Sequence, residues 1–166
     1  MRRTTITLAL ALASSFLSIA VVDACGDKLL RIGRGARFQH SLHTASVIIF
    51  LPAEAPPEAS KNAPKLQAFL KKAGHKANVV QGAERLNQVL GSGRYDVVLT
   101  ALSDVATVQR QSETSTVKPV IVPMLFNAKK SDIAAVKKQY RAVVKDPNDG
   151  DEYLDAIETA LRSRRS

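Results

Sequence analysis

The chain has 166 residues, enough for one domain with a short extension and enough to bury a core without disulfide or metal staples. A single cysteine excludes an internal disulfide, and the absence of Trp leaves a core of Val, Ile, Leu and Ala. Lys and Arg number 24 against 15 Asp and Glu, a net charge of +9 that favours anionic partners without identifying one.

The chain opens on a short basic stretch, Met1 to Thr5, followed by the mostly apolar run Ile6 to Val22. Val22 and Ala24 are the small or apolar residues expected before a cut at Cys25. This pattern predicts a secretory signal peptide over 1–24 and an exported, periplasmic protein. A permanent anchor helix fits less well. The run falls short of the ~20 residues a span needs, and Ser14, Ser15 and Ser18 interrupt it. Cys25, just past the cut, resembles the acylated cysteine of bacterial lipoproteins. Val22 and Ala24 match that family's cleavage box, and Asp23 departs from it. Two readings stay open: a diacylated Cys25 tethered to a membrane, or an ordinary cut that leaves a thiol near the new N-terminus.

Residues 25–44 read as a basic lead-in. Lys28, Arg31, Arg34 and Arg37 recur every three residues and form a candidate basic surface. Gly33 and Gly35 lack the third glycine or the Gly-Lys-Ser/Thr sequence that a phosphate loop needs. His40 and His43 are three apart, with no Cys or third His nearby in sequence, so no metal site is expected there.

The domain proper is predicted over 45–166. Ser46 to Leu51 is a β-branched, apolar strand ending at Pro52. Pro52 to Pro64 reads as a loop, with Asn62 capping a helix that buries Leu66, Phe69, Leu70 and Ala73. Gly74 closes that helix, and Lys71, Lys72, His75 and Lys76 suit its C-terminal dipole. A strand over Ala77–Gln81 and a helix over Glu84–Leu90 follow. Tyr95 to Thr100 is the central strand. Its run Val97-Val98-Leu99 is apolar on both faces, as a strand covered by helices on both sides requires. Ser103 is placed to cap the next helix, which carries Val105 and Val108. Val117 to Phe126 holds a fourth strand, its pairing limited by Pro119 and Pro123. Ser131 is read as the cap of a helix to about Tyr140. Arg141 to Lys145 is expected as a fifth strand. A final helix begins near Asp149, buries Leu154, Ile157 and Leu161, and sets Glu158 four residues before Arg162. This alternation predicts an α/β fold: a doubly wound, five-stranded parallel sheet with helices on both faces. Ligands then belong at the carboxyl ends of the strands, where Thr100, Ser103, Asp104 and Lys145 are the candidate cleft residues.

The stretch from Ala45 to Arg164 resembles a bacterial response-regulator receiver domain, a flavodoxin-like fold. The pieces that carry the resemblance are Tyr95 to Leu99, Lys118 to Val122, and Val143-Val144-Lys145-Asp146-Pro147 followed by Tyr153 to Ile157. The departures define its consequence. Pro52-Ala53 stand where the family's magnesium-binding acidic pair lies. Thr100 or Ala101 stands at the phosphoacceptor aspartate, and Met124-Leu125 at the hydroxyl residue. Only the lysine, Lys145, is kept. The resemblance therefore implies a pseudo-receiver scaffold that cannot be phosphorylated in the usual way and has no strong Mg²⁺ site.

Three functions follow in order of expectation. The first is an exported, non-enzymatic binding or interaction domain, taking a protein, a small anionic ligand or a membrane surface, with no nucleic acid and no cofactor. The second is a periplasmic small-ligand-binding lobe that needs a second lobe, by dimerisation, to close on its ligand. The third is a hydrolase. No catalytic residues are assigned, since nucleophile-elbow, His-Glu-x-x-His and Walker sequences are all absent. Ser103-Asp104 beside His40, His43 or His75 is the one enzymatic arrangement to check.

Overall fold

The computed structural model describes Ser41, residues 43–126 and residues 128–165. The expected signal peptide, Cys25, the basic residues Lys28, Arg31, Arg34 and Arg37, and His40 lie outside the described residues. Four strands, β1 (Ser46–Leu51), β2 (Lys76–Gln81), β3 (Val97–Ala101) and β4 (Val120–Met124), form one parallel sheet in the order β2-β1-β3-β4. Five helices connect or follow them: α1 (Pro57–Lys72), α2 (Ala83–Ser92), α3 (Val105–Ser112), α4 (Lys130–Gln139) and α5 (Gly150–Arg165). None of the described helices is long and apolar enough to cross a membrane.

Alternation along β1 decides the two layers. Val47, Ile49 and Leu51 meet Leu66 and Leu70 of α1 and Ile157 of α5 on one face. Ile48 and Phe50 meet Leu86 and Leu90 of α2 and Val108 of α3 on the other. Successive strand residues point to opposite faces, so a strand apolar at every position must be covered twice. β3 obeys the same rule: Val97, Val98 and Leu99 are all fully buried.

The expected fifth strand is not formed. Arg141 to Lys145 contributes one isolated bridge, Val144 beside Met124. Val144 donates its N–H to the Pro123 carbonyl at 3.0 Å and accepts the Leu125 N–H at 2.9 Å. The next rung of a parallel ladder would have the Ala142 carbonyl accept from the N–H of residue 123. That residue is proline and has no N–H. The sequence put Pro123 in the right strand, and its missing donor faces the side where the fifth strand would have added.

Two helix starts also differ from expectation. α1 begins at Pro57, and Pro64 lies inside it. Pro57 occupies the first turn, where its missing N–H is unneeded. Pro64 is exposed, so the Ser60 carbonyl it leaves unpaired faces solvent. Burial of Ala63 and packing of Ala59 on the core offset the cost of that proline. Ser131 does not cap α4. The N-cap is Lys129, whose N–H donates to Asp132 Oδ2 at 3.3 Å, while Ser131 Oγ donates to Asp132 Oδ1. The end of α1 follows the sequence reading. Gly74 at φ 99 lets its N–H reach the Lys71 carbonyl and the His75 N–H reach the Leu70 carbonyl, the paired closure that a left-handed residue permits.

Candidate functional site: the strand-end cleft

The chain leaves β1 for α1 on one face of the sheet and leaves β3 for α3 on the other. Their neighbouring carboxyl ends therefore part and open a crevice. In this molecule the crevice is a cleft of about 850 Å³. Its floor comes from the end of β1, Ile49 to Pro52, and from Met124 and Leu125 at the end of β4. Ala59, Ala63 and Leu66 of α1 form one wall. Ser103 and Asp104 stand at the exit of β3, and Lys145 to Asn148 close the far side. Phe126 stands at the mouth and is 56% exposed, a large aromatic ring left in water. Leu102, just past β3, is the other exposed large apolar side chain among the described residues.

Three of the four residues expected here, Ser103, Asp104 and Lys145, do line the cleft. Thr100 does not. It is fully buried, and its hydroxyl contacts the Ala101 carbonyl at 3.4 Å. It sits one residue before the strand end, so the pleat turns it into the core. Ser103 does not cap α3, because residues 102–104 form a 3-10 turn without a side-chain cap bond. Its hydroxyl is left at the exposed edge of the cleft.

Lys145 is paired with Glu152 of α5 at 2.8 Å. The hydrogen bond to Glu152, then that carboxylate's charge, raise the lysine pKa above its ordinary value. Its ammonium is thus already engaged with a carboxylate at the cleft edge. The loop after it is stiffened from below. Tyr153 donates its hydroxyl to the Pro147 carbonyl at 3.1 Å. Burial, and secondarily the charge of Asp146, raise the Tyr153 pKa far above the usual phenol value, so it stays a neutral donor. Asp146 Oδ1 accepts the Asn148 N–H at 2.9 Å, and Asp149 Oδ1 accepts the Asp151 N–H at 3.0 Å to start α5. The sequence reading missed Phe126, Asn148 and Tyr153. The available signal was the apolar run Met124-Leu125-Phe126, which continues past the last residue that pairs in the sheet.

No family model matches this chain, and no curated protein does either.

The arrangement of Ser103-Asp104 beside a histidine is not assembled from the described residues. His75 directly precedes β2, and His43 precedes β1, so both lie at the amino ends of the strands. Ser103 lies at the carboxyl ends. A serine does meet a histidine at the amino end: Ser41 Oγ lies 2.6 Å from His75 Nε2. The tautomer is wrong for nucleophile activation, however. The Ala45 N–H donates to His75 Nδ1 at 3.2 Å, so the neutral ring carries its proton on Nε2 and donates to the serine. His75 follows the closure of α1, as the sequence reading placed it, and there it is a buried strut between Ser41 and Ala45. Among the described residues, no three His, Cys, Asp or Glu side chains are grouped as a metal-ligand set.

A smaller recess of about 340 Å³ lies between the end of α4 and α5 and shares Lys145. Its rim is the charged set Lys137, Arg141, Glu152 and Asp155. It lacks the continuous apolar floor of the strand-end cleft.

Proposed function

We propose that the chain is an exported, non-enzymatic binding domain that takes a small, largely apolar molecule in its strand-end cleft. The observation that carries this reading is the cleft itself. It has the volume of a small-molecule site, an apolar floor and a few polar groups at its edge. Phe126, exposed at the mouth of the cleft, supplies apolar surface that a bound molecule would cover. The scaffold is receiver-like in element order. Pro52 and Ala101, where that family needs acidic side chains, support a binding role and not phosphotransfer. Export rests on residues 1–24 of the sequence, and Cys25 is the site at which the mature chain would be tethered if acylated.

Mass spectrometry of the protein purified from its host envelope tests the reading in one sample. The expected denatured mass corresponds to a chain beginning at Cys25, with or without a diacyl group. The expected native spectrum shows a retained small molecule, lost from a Phe126→Asp variant of unchanged fold. A native chain that emerges bare from both proteins defeats the cleft assignment. Hydrolysis of simple esters or phosphates, abolished by Ser103→Ala, would replace it with an enzymatic one.

A further inference from the structure

The end of the sheet opposite the cleft is strongly basic. α1 finishes there in Lys71 and Lys72, and α5 finishes there in Arg162, Arg164 and Arg165. Cations in the last turn of a helix are ordinary complements of its dipole. The strand entries are not explained that way. Lys76 opens β2, Arg94 lies three residues before β3, and Lys118 two residues before β4. All three are exposed. The only carboxylates among these cations are Asp96 and Glu158, with Arg110 and Glu113 at the end of α3 cancelling each other. Both carboxylates are occupied. Asp96 accepts from Arg164 at 2.6 Å and from the Ser46 N–H at 2.8 Å. Glu158 accepts from the His43 N–H and meets the His43 ring, each at 3.2 Å. Elsewhere in the described residues acidic and basic side chains nearly balance, so the positive excess is concentrated at this one end.

The chain also enters the domain here. The Ser41 N–H donates to the Ala73 carbonyl, and Arg165 reaches the His43 ring at 3.2 Å. The sequence between the expected cut and Ser41 contains the cations Lys28, Arg31, Arg34 and Arg37 and begins at Cys25, the candidate acylation site. An anionic bilayer is the partner that suits both a basic face and a basic leader with an acylation site, joined to that face.

We propose that the amino-end face of the sheet docks on an anionic lipid surface through Lys76, Arg94 and Lys118. The strand-end cleft then opens away from the bilayer. This orientation does not depend on the cleft binding a ligand.

The test is co-sedimentation of the unacylated mature chain, beginning at Cys25, with vesicles of phosphatidylcholine, alone or with about 30% phosphatidylglycerol, at low and at physiological salt. The expected result is tighter binding to the anionic vesicles, weakened by salt because exposed charges are screened over about 8–10 Å. The triple variant Lys76→Glu, Arg94→Glu, Lys118→Glu should lose about a hundredfold of the anionic preference, since each basic residue near such a surface contributes roughly fivefold. Lys129→Glu with Lys130→Glu, at the other end of the sheet, should change it little. Equal binding to both vesicle types overturns the proposal, as does a triple variant, folded by circular dichroism, that keeps its preference. Tighter capture by duplex DNA than by the anionic vesicles at the same salt also overturns it, in favour of a nucleic-acid surface. If the triple variant fails to fold, the salt response and the lipid comparison on the unaltered chain decide alone.

Discussion

His75 shows how one side chain sets a pH response. Its ring is 3% exposed and holds two parts of the entering chain, Ser41 through Nε2 and the Ala45 N–H through Nδ1. Burial lowers its pKa below the ordinary imidazole value, against the opposing charge of Glu158. The unfolded chain therefore takes up a proton at higher pH than the folded one. Stability from this group is complete above the unfolded value, near 6.5, and is lost as pH falls through that value toward the folded one. Protonation also turns Nδ1 from an acceptor into a donor facing the Ala45 N–H. Asn at this position keeps an acceptor near Nδ1 and has no titration. Urea midpoints measured from about pH 7 downward should fall more steeply for the natural chain than for His75→Asn. Parallel profiles would mean that His75 is not the group responsible.

At the scale of elements, helix α1 is the least expected feature and the easiest to test. Pro56 is its N-cap, and its first half carries Pro57 and an internal Pro64, yet it runs sixteen residues to a glycine-closed end. Pro64 removes one backbone donor and crowds the Ser60 carbonyl. Its face is solvent-exposed, so the helix survives through the packing of Leu66 and Leu70 below it. Pro64→Ala restores the donor and should raise stability by roughly 1–3 kcal/mol in denaturant titration. A destabilised variant would mean that the helix does not continue through this position. Helix α4 is the opposite case. Its one buried side chain, Val136, belongs to a small cluster with Leu125 and Val143, flanked by Ala128, Ile133 and Tyr140. Through Val143 it lies against the singly bridged segment Arg141 to Lys145, and Val136 joins neither large core cluster.

At the scale of the molecule, stability is concentrated in the strands that are covered twice. β1 and β3 are paired on both edges and buried on both faces, whereas the segment around Val144 has one bridge. Native-state hydrogen exchange should follow this order. The amides of Val144 and Leu125 should exchange through local opening at least about tenfold faster than those of Ile48 and Val98. Equal protection would place the Val144 segment inside the same cooperative unit. The layer pattern behind this gradient was legible in the residues themselves. Short apolar runs at Val47 to Leu51 and Val97 to Leu99, rich in β-branched residues and bounded by turn residues, read as strands covered on both sides. Helical spacing at Leu66, Leu70 and Ile157 identified covering helices. The closure at Gly74 was legible as a glycine just past a helical apolar pattern. Most of the cleft followed from strand polarity, because a doubly wound parallel sheet parts at its carboxyl ends where neighbouring connections leave to opposite faces. Tertiary structure decided the rest. Pairing at Pro123 depends on which neighbour its missing N–H faces, and that is a property of the sheet. The burial of Thr100 depends on where β3 ends relative to its covering helices. The joining of His43 to Glu158 and Arg165, and of Arg164 to Asp96, links residues 115, 122 and 68 positions apart. No local pattern encodes such contacts, since they exist only once the helix ends and strand entries share one face. For the same reason the sequence announced a basic protein, and only the fold gathered that charge at one end.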